Sequence, residues 1–369
     1  MRSILLGFVL CAAGFALSAE AVEPVKLQRL KTPSPPWPSG DERGMANQIG
    51  PATWARCAFH LATPGAEAYE LSQPRSNTMP LSPFAGPYAV KPKATGGIPG
   101  SAHAFNSETM NEGAEPAQQG TQMDALGHFG VLQQPWDGKD ALSEDVTYYA
   151  GHKQKDVKPT ADSPLLKLGM DKAPPIVTSA VLLDAKAHVG RGQPMKAGEL
   201  VTAQHIQEML KAQGLAQRGI LPGDVVYVYT GWSDYWSDPD SEKSYYSKAP
   251  GLSYDAARYL GERRIVAIGL DTPFIDPVPE GMLQGKAGPA AGTPPGLPFA
   301  VHHHMLSQMG IHHIENAKLD ELARDRVWTS CTMVLPLLDK GAAGSPIRPV
   351  AYGLPDPAKK PAPKRAAGK

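Results

Sequence analysis

The chain has 369 residues, with 36 basic and 36 acidic side chains, so its formal net charge near neutral pH is zero. This balance, without a basic stripe along the chain, argues against nucleic acid as a partner. Hydrophobic residues make up 42% of the chain, which is enough for a sizeable core, and 37 glycines with 37 prolines predict many loops.

The first 21 residues have the pattern of a secretory signal peptide. Arg2 gives a positive start, residues 4–17 are apolar, and residues 19–21 (AEA) supply small side chains for cleavage. The apolar run is too short to span a membrane. We therefore expect an exported protein, periplasmic in a Gram-negative host, with no membrane attachment after cleavage.

The remaining chain divides into three parts. Residues 22–36 are proline-rich and predicted to be extended, residues 37–353 are predicted to form one domain, and the Pro/Ala/Lys-rich residues 354–369 are predicted to be a disordered basic tail. Outside the signal peptide, Cys57 and Cys331 either pair in an oxidising compartment or remain as two buried thiols. No CxxC spacing is present, which argues against a thiolate zinc site.

Helices and strands alternate in the second half of the chain. An apolar strand is predicted within 174–184, and further strands at 224–230, 264–271, 311–316 and 327–338. Thr202 is placed to cap a helix that ends near residue 212, and Ser253 to cap one that ends near residue 263. Short helices are predicted at 300–309 and 320–326. This alternation predicts the α/β class.

Several predicted strands end in an acidic residue, namely Asp184, Asp271 and Glu315. The carboxyl ends of strands are where sites usually gather in α/β proteins. For Asp271 and for nearby Asp276 we expect a structural role, in which the carboxylate accepts hydrogen bonds from loop N–H groups.

Two distant segments carry candidate metal ligands. In QQGTQMDALGHFG (118–130), Asp124 and His128 are four residues apart, and five histidines fall between residues 302 and 313, close to Glu315. Carboxylates and imidazoles together can hold a divalent ion and a water molecule. Alternatively, Asp124 caps the turn after Gly120, and the histidines form a solvated helix face.

These segments resemble the metal-dependent cyclase family, which includes kynurenine formamidases, isatin hydrolases and trans-dienelactone hydrolases. The family signature HxGTHxDxPxH corresponds to QxGTQxDxLxH at 118–128. The segments GDVVYVYTGW (223–232), GLDTPFID (269–276) and HHMLSQMGIHHIEN (303–316) follow in the family's order. The resemblance extends from about residue 37 to 353 and implies a single α/β domain around a mixed sheet.

The resemblance also implies roles for individual residues. The implied metal ligands are Gln118, Gln122, Asp124, His303 and Glu315, with His303 chosen because the family separates this histidine and glutamate by twelve residues. His128 and Glu315 are the implied catalytic groups, with His128 moving the proton. Trp37 is similar to the aromatic residue that flanks the substrate ring, and His313 is a candidate neighbour of the ligands because it shares a strand face with Glu315.

The sequence departs from the family pattern at informative positions. Gln118 and Gln122 replace the two histidines of the signature, Leu126 replaces its proline, and Phe274 replaces a serine. A glutamine oxygen is a neutral, hard ligand. We therefore expect one divalent ion, Zn²⁺ or Mn²⁺, and no organic cofactor.

The expected activity is hydrolysis of an amide, formamide, lactam or lactone by a metal-activated water. The substrate is expected to be a small aromatic or cyclic molecule; N-formylkynurenine is the family's best-known substrate. Two alternatives stay open: a catalytically silent relative that only binds a ligand, and a lyase or isomerase that uses the same ion. The family resemblance also implies a homodimer or homotetramer.

Overall fold

The computed structural model describes residues 37–111, 119–132, 135–136 and 145–357. The predictions for the signal peptide, for residues 22–36, for residues 358–369 of the tail and for Gln118 therefore fall outside the described residues. Within those residues, no helix has the length and apolar character needed to cross a membrane.

Fifteen strands and seven α-helices are present in the described residues. The strands are β1 (Glu67–Glu70), β2 (Ala89–Pro92), β3 (Gly96–Gly97), β4 (Ala104–Phe105), β5 (Glu108–Asn111), β6 (Gln122–Asp124), β7 (Ile176–Asp184), β8 (Leu200–Val201), β9 (Val225–Tyr229), β10 (Gly251–Leu252), β11 (Ala267–Leu270), β12 (His312–Glu315), β13 (Thr329–Val334), β14 (Gly344–Pro346) and β15 (Val350–Gly353). The α-helices are α1 (Pro51–Ala62), α2 (Gln154–Val157), α3 (Ala185–His188), α4 (Ala203–Ala212), α5 (Tyr254–Glu262), α6 (Ala300–His302) and α7 (Asp320–Arg324), and a π-helix covers His303–Met309.

Nine strands form one mixed sheet in the order β1-β15-β13-β7-β9-β11-β12-β6-β14. The four central strands β7, β9, β11 and β12 are parallel, and the strands on both sides of them pair antiparallel. The predicted α/β class with a mixed sheet is confirmed. The antiparallel pairing of β12 with β6 places Glu315 opposite Gln122, so residues 193 positions apart in sequence become neighbours.

The two faces of the sheet carry separate hydrophobic cores. Ile206 of α4 and Leu260 of α5 pack with Ile268 on one face, whereas Tyr227 and Ile314 pack on the other. Burial on both faces explains why β9 and β11 are continuous apolar runs rather than alternating ones.

The predicted helix starts are confirmed at the level of individual hydrogen bonds. The Thr202 hydroxyl accepts from the backbone N–H of His205, and the Ser253 hydroxyl accepts from the N–H of Ala256. These bonds satisfy N–H groups that the first turn of a helix cannot pair internally.

Two sequence predictions differ from the structure. The last strand was predicted to reach residue 338 but ends at Val334, because the chain then turns outward at Pro336, which has no N–H for the sheet; Leu338 is 79% exposed. The predicted helix at 300–309 is α6 followed by the π-helix. A π-helix is uncommon and is found frequently at functional sites.

Cys57 and Cys331 form a disulfide, which decides between the two alternatives left open by the sequence. Cys57 lies on the inner face of α1 and Cys331 lies in β13, and both side chains are buried. The bond therefore fixes α1 to the sheet.

Candidate metal centre

Strands β6 and β12 place three candidate ligands on one side of the sheet. Side chains alternate between the two faces of a strand, so Gln122 and Asp124 share a face of β6, and His313 and Glu315 share a face of β12. The pairing of the two strands aligns these faces, and the Gln122 amide Nε2 donates to Glu315 Oε2 at 2.8 Å. All four side chains are buried.

His302 supplies the imidazole that faces these carboxylates. Its Nε2 lies 3.7 Å from Asp124 Oδ2 and 3.5 Å from Glu315 Oε1. The family resemblance implies His303 for this position, but His303 Nε2 instead lies 2.7 Å from the Gln308 amide. Consecutive residues of a helix point about 100° apart, so a one-residue change in register selects a different direction. The structure places His302, and not His303, beside Asp124 and Glu315.

Asp276 holds His302 in this orientation. One carboxylate oxygen accepts from the backbone N–H of Val301, and the other accepts from the backbone N–H of His302 and lies 2.6 Å from its Nδ1. The predicted structural role of Asp276, holding backbone N–H groups, is confirmed, but the carboxylate also directs Nε2 toward the cluster. Asp271 is structural as predicted, since it accepts hydrogen bonds from Thr230 and Ser233.

The charges around His302 favour a cation at this place. Burial alone would lower the pKa of His302, but the hydrogen bond and charge of Asp276, together with Glu315 and Asp124, raise the pKa to about 9. Burial and the neighbouring Asp124 charge raise the pKa of Glu315 well above its ordinary value. The pocket thus holds more negative charge than it can keep without a bound cation or added protons.

Several buried oxygens of the cluster have no hydrogen-bond partner. These are Gln122 Oε1, Asp124 Oδ2 and Glu315 Oε1. Buried polar atoms are nearly always paired in folded proteins. Three unpaired oxygens next to a fixed imidazole nitrogen fit a divalent ion, because donors bound to one Zn²⁺ or Mn²⁺ lie roughly 3.0–3.5 Å apart.

His128 approaches the same centre from the loop after β6. Asp124, His128 and His302 each offer a ligand atom, and these atoms all lie within 4.8 Å of one another. Burial lowers the pKa of His128, against the opposing effect of Asp124. His128 is therefore neutral near pH 7 and can accept a proton, as its predicted role requires.

The other histidines of the cluster have distinct surroundings. His313 is fully buried, with Nδ1 4.0 Å from Asp124 Oδ2 and its ring 4.5 Å from the His302 ring, so it borders the centre. His312 points to the opposite face, where Nδ1 lies 2.9 Å from the carbonyl oxygen of Asp124. His304 pairs with Gln308. All five histidines between residues 302 and 313 are buried, so they do not form a solvated helix face.

Aromatic rings form one wall of the site. The rings of Phe129 and Phe299 lie 5.2 and 6.0 Å from the ring of His302, and Phe274 lies 6.2 Å from Phe299. All three phenylalanines are half-buried, so part of each is available to a ligand. The sequence marks Phe274 only as a replacement of the family's serine, and it carries no signal that predicts Phe129 or Phe299 as part of the site.

Trp37, predicted to contact the substrate, opens the first described segment. It is half-buried, and its indole Nε1 is enclosed without a hydrogen-bond partner. The same segment is fixed to the domain by a hydrogen bond from the Gly40 N–H to the Ala150 carbonyl. Its role in binding stays a prediction.

Known proteins are similar to this chain in sequence and in fold. Residues 69–277, more than half of the chain, match a family model described as a putative cyclase. A 101-residue segment is 35% identical to the kynurenine formamidase of Bacillus cereus (strain ATCC 10987) and 33% identical to that of Bacillus anthracis. Each match covers 27% of this chain and only 39% of the relative.

Solved structures show a similar fold along most of the chain. A crystal structure described as a novel cyclase gives a TM-score of 0.68 at 24% identity, covering 85% of this chain and 95% of the other. Isatin hydrolase A from Ralstonia solanacearum gives a TM-score of 0.53 at 21% identity, covering 83% of this chain and 98% of the other.

Proposed function

Because the chain belongs to the cyclase family, we propose that it is a metal-dependent hydrolase of non-peptide C–N bonds or cyclic esters. The substrate class is a small aromatic or cyclic amide, formamide, lactam or lactone. The formamidase and isatin hydrolase names of its relatives support this class. So do the half-buried phenylalanines beside the cluster.

The observation that carries the proposal is the group of unpartnered buried oxygens around His302 Nε2. A purely structural cluster would pair these atoms with one another or with backbone groups. We assign Asp124, Glu315, His302 and Gln122 as the residues that hold one divalent ion. When bound, such an ion polarises a carbonyl group and lowers the pKa of a water molecule.

The donor set explains how the glutamine substitution is tolerated. Asp124 and Glu315 supply two negative charges, which balance one divalent cation. Gln122 adds a neutral oxygen and fixes Glu315 through its own amide group. A set of one nitrogen donor and several oxygen donors is suited to Mn²⁺ or Zn²⁺.

Other residues orient a metal ligand, move a proton or contact the substrate. Asp276 directs the His302 ring, so that its Nε2 faces the ion site rather than solvent. His128 accepts a proton from the attacking water and returns it to the leaving group. Phe129 and Phe299 exclude water from one side and offer an apolar surface to the substrate ring.

The protein is also proposed to be exported and to form a homo-oligomer. The signal-like N-terminus supports an exported protein, and the Cys57–Cys331 disulfide suits an oxidising compartment. A homodimer or homotetramer is supported by the exposed side of α1, where Trp54 and Leu61 are 51% and 46% exposed.

The activity is tested by incubating metal-loaded protein with N-formylkynurenine, isatin and an aromatic lactone in ¹⁸O-labelled water. We expect at least one product to gain a single ¹⁸O atom, and turnover to stop when EDTA removes the metal. Product formed without ¹⁸O would indicate a lyase or isomerase instead. Absence of turnover on all three classes, with metal bound, would favour a protein that only binds its ligand.

A further inference from the structure

His313 has two buried ring nitrogens without hydrogen-bond partners. Its side chain is fully buried in β12, and neither Nδ1 nor Nε2 pairs with another group of the described residues. A neutral imidazole has one N–H donor and one acceptor nitrogen. Leaving both unpaired in a protein interior costs stability, and buried polar groups nearly always have a partner. Packing alone therefore does not account for a histidine at this position.

Other buried histidines of the same segment do have partners. His312 Nδ1 lies 2.9 Å from the carbonyl oxygen of Asp124. His304 Nδ1 lies 2.8 Å from the side-chain oxygen of Gln308. These two imidazoles have structural hydrogen bonds, and His313 has none.

The strand pairing places His313 beside a carboxylate of the candidate metal centre. The antiparallel register of β12 and β6 pairs Glu315 with Gln122. Two residues further along, on the same face of the sheet, His313 lies opposite Asp124. The His313 Nδ1 is 4.0 Å from Asp124 Oδ2. Two neighbouring cross-strand pairs therefore supply side chains to one place.

The distance between these two atoms excludes a hydrogen bond but suits a shared ion. A hydrogen bond from a ring nitrogen to a carboxylate spans about 2.7–3.2 Å, so 4.0 Å is too long. Two donors on one Zn²⁺ or Mn²⁺ can lie as far apart as about 4.2 Å, twice a metal–nitrogen distance of about 2.1 Å. Asp124 Oδ2 is unpartnered and also lies 3.7 Å from His302 Nε2. Both imidazoles therefore face the same carboxylate oxygen.

The enclosed position of His313 is compatible with a metal ion. The oxygens Asp124 Oδ2 and Glu315 Oε1, which are assigned to the ion, are enclosed to the same degree. An ion needs less room than a water molecule, because a metal–nitrogen bond spans about 2.1 Å and a hydrogen bond about 2.9 Å. The rings of His302 and His313 lie 4.5 Å apart, so both imidazoles border the same small volume.

We propose that His313 is a ligand of the ion in this centre and contributes its Nδ1 next to Asp124 Oδ2. It adds a second nitrogen donor to that of His302, in a chain where Gln118 and Gln122 stand at both histidine positions of the signature. The assignment rests on the metal centre of the proposed function. It does not depend on which bond, if any, the protein hydrolyses.

Cadmium NMR counts the imidazoles on the ion. The purified protein would be labelled with ¹⁵N-histidine and loaded with ¹¹³Cd²⁺, so that each ligating ring nitrogen is split by coupling to cadmium. We expect two split rings in wild type and at most one in His313→Leu. The matched control His312→Leu, the same change at the next residue, should keep both. His128→Gln should also keep both, because His128 is assigned to proton transfer.

The same two leucine variants give a second readout through stability. His313→Leu removes an unpartnered polar group, so the urea midpoint of the metal-free variant should equal or exceed that of wild type. Added Zn²⁺ should raise this midpoint less than it does in wild type. His312→Leu loses its hydrogen bond to the Asp124 carbonyl, so its metal-free midpoint should fall. A histidine that served only to pack the core would give a lower midpoint in His313→Leu as well.

Four results would overturn the proposal: one split ring in wild type, two in folded His313→Leu, loss of a split ring in His128→Gln, or a lower metal-free midpoint in His313→Leu. Each would leave the proposed function standing. Absence of bound cadmium in wild type would refute the metal centre itself. Two split rings that include His313, in a protein that hydrolyses none of the tested substrates, would refute the proposed function alone.

Discussion

Asp276→Asn is the most informative perturbation of the candidate metal centre. The Asp276 carboxylate accepts two backbone N–H groups and lies 2.6 Å from His302 Nδ1. An asparagine keeps the size of the side chain but has one acceptor oxygen and no charge. The substitution therefore removes the group that fixes the direction of Nε2, while it leaves every assigned ion ligand in place.

The expected effect on metal affinity is a loss of about 10–100-fold, the usual cost of removing the carboxylate that supports a metal-bound histidine. The variant should also be less stable by about 1.5–3 kcal/mol, since a hydrogen bond to a charged group is lost. Metal affinity would be measured by competition with a chromogenic chelator, and stability by urea unfolding of the metal-free protein.

Asp271→Asn provides the matched control. Asp271 is also a buried carboxylate that accepts several hydrogen bonds, but its partners are Thr230 and Ser233 rather than His302. This variant should lose stability and keep its metal affinity. If folded Asp276→Asn binds metal as tightly as wild type, or if Asp271→Asn loses as much affinity, the role assigned to Asp276 is incorrect.

Three further predictions follow from the same geometry. Without metal, the contribution of His302 to stability is fully present below pH 6.5 and is lost as the pH rises through its folded pKa of about 9. The unfolding free energy of the metal-free protein should therefore fall across this window. The part of this fall that is due to His302 should be missing in His302→Gln, where the raised pKa of Glu315 still contributes; an equal fall in the folded variant would contradict the assignment. His128→Gln should keep its bound metal while its kcat falls by about 10²–10⁴-fold. If the variant also loses its bound metal, His128 is a ligand instead. The double variant Cys57→Ser/Cys331→Ser should lose about 4–5 kcal/mol of unfolding free energy, measured with urea, because the disulfide closes a loop with a sequence separation of 274 residues. As a check, wild type under reducing conditions should lose a similar amount.

The fold was largely predictable because its central strands and helices carry local signals. Continuous apolar runs gave β7, β9 and β11, and hydroxyl caps gave the starts of α4 and α5. The first half of the chain was not predictable in the same way. Its strands, such as β1 and β6, are short and are defined by partners distant in sequence.

The site was only partly predictable from sequence. The signature segment predicted Asp124 and His128, and the strand pattern predicted Glu315; the structure brings Asp124 and His128 together with His302, and Glu315 lies close to His302. The choice between His302 and His303 depends on the direction of a helix that begins at residue 300 and becomes a π-helix within three residues. Spacing alone cannot give that direction. Asp276 orients His302 from a separate loop, a contact that only the fold brings about.

The metal content of the purified protein is the direct test of the ion site formed by Asp124, Glu315, His302 and Gln122. Elemental analysis would compare wild type with Glu315→Gln and with the control Gln284→Glu, a change at an exposed residue outside the candidate metal centre. We expect about one Mn or Zn per chain in wild type and in the control, and a marked loss in Glu315→Gln, which removes one of the two charged ligands. Absence of bound metal in wild type after reloading, or an unchanged content in folded Glu315→Gln, would contradict it.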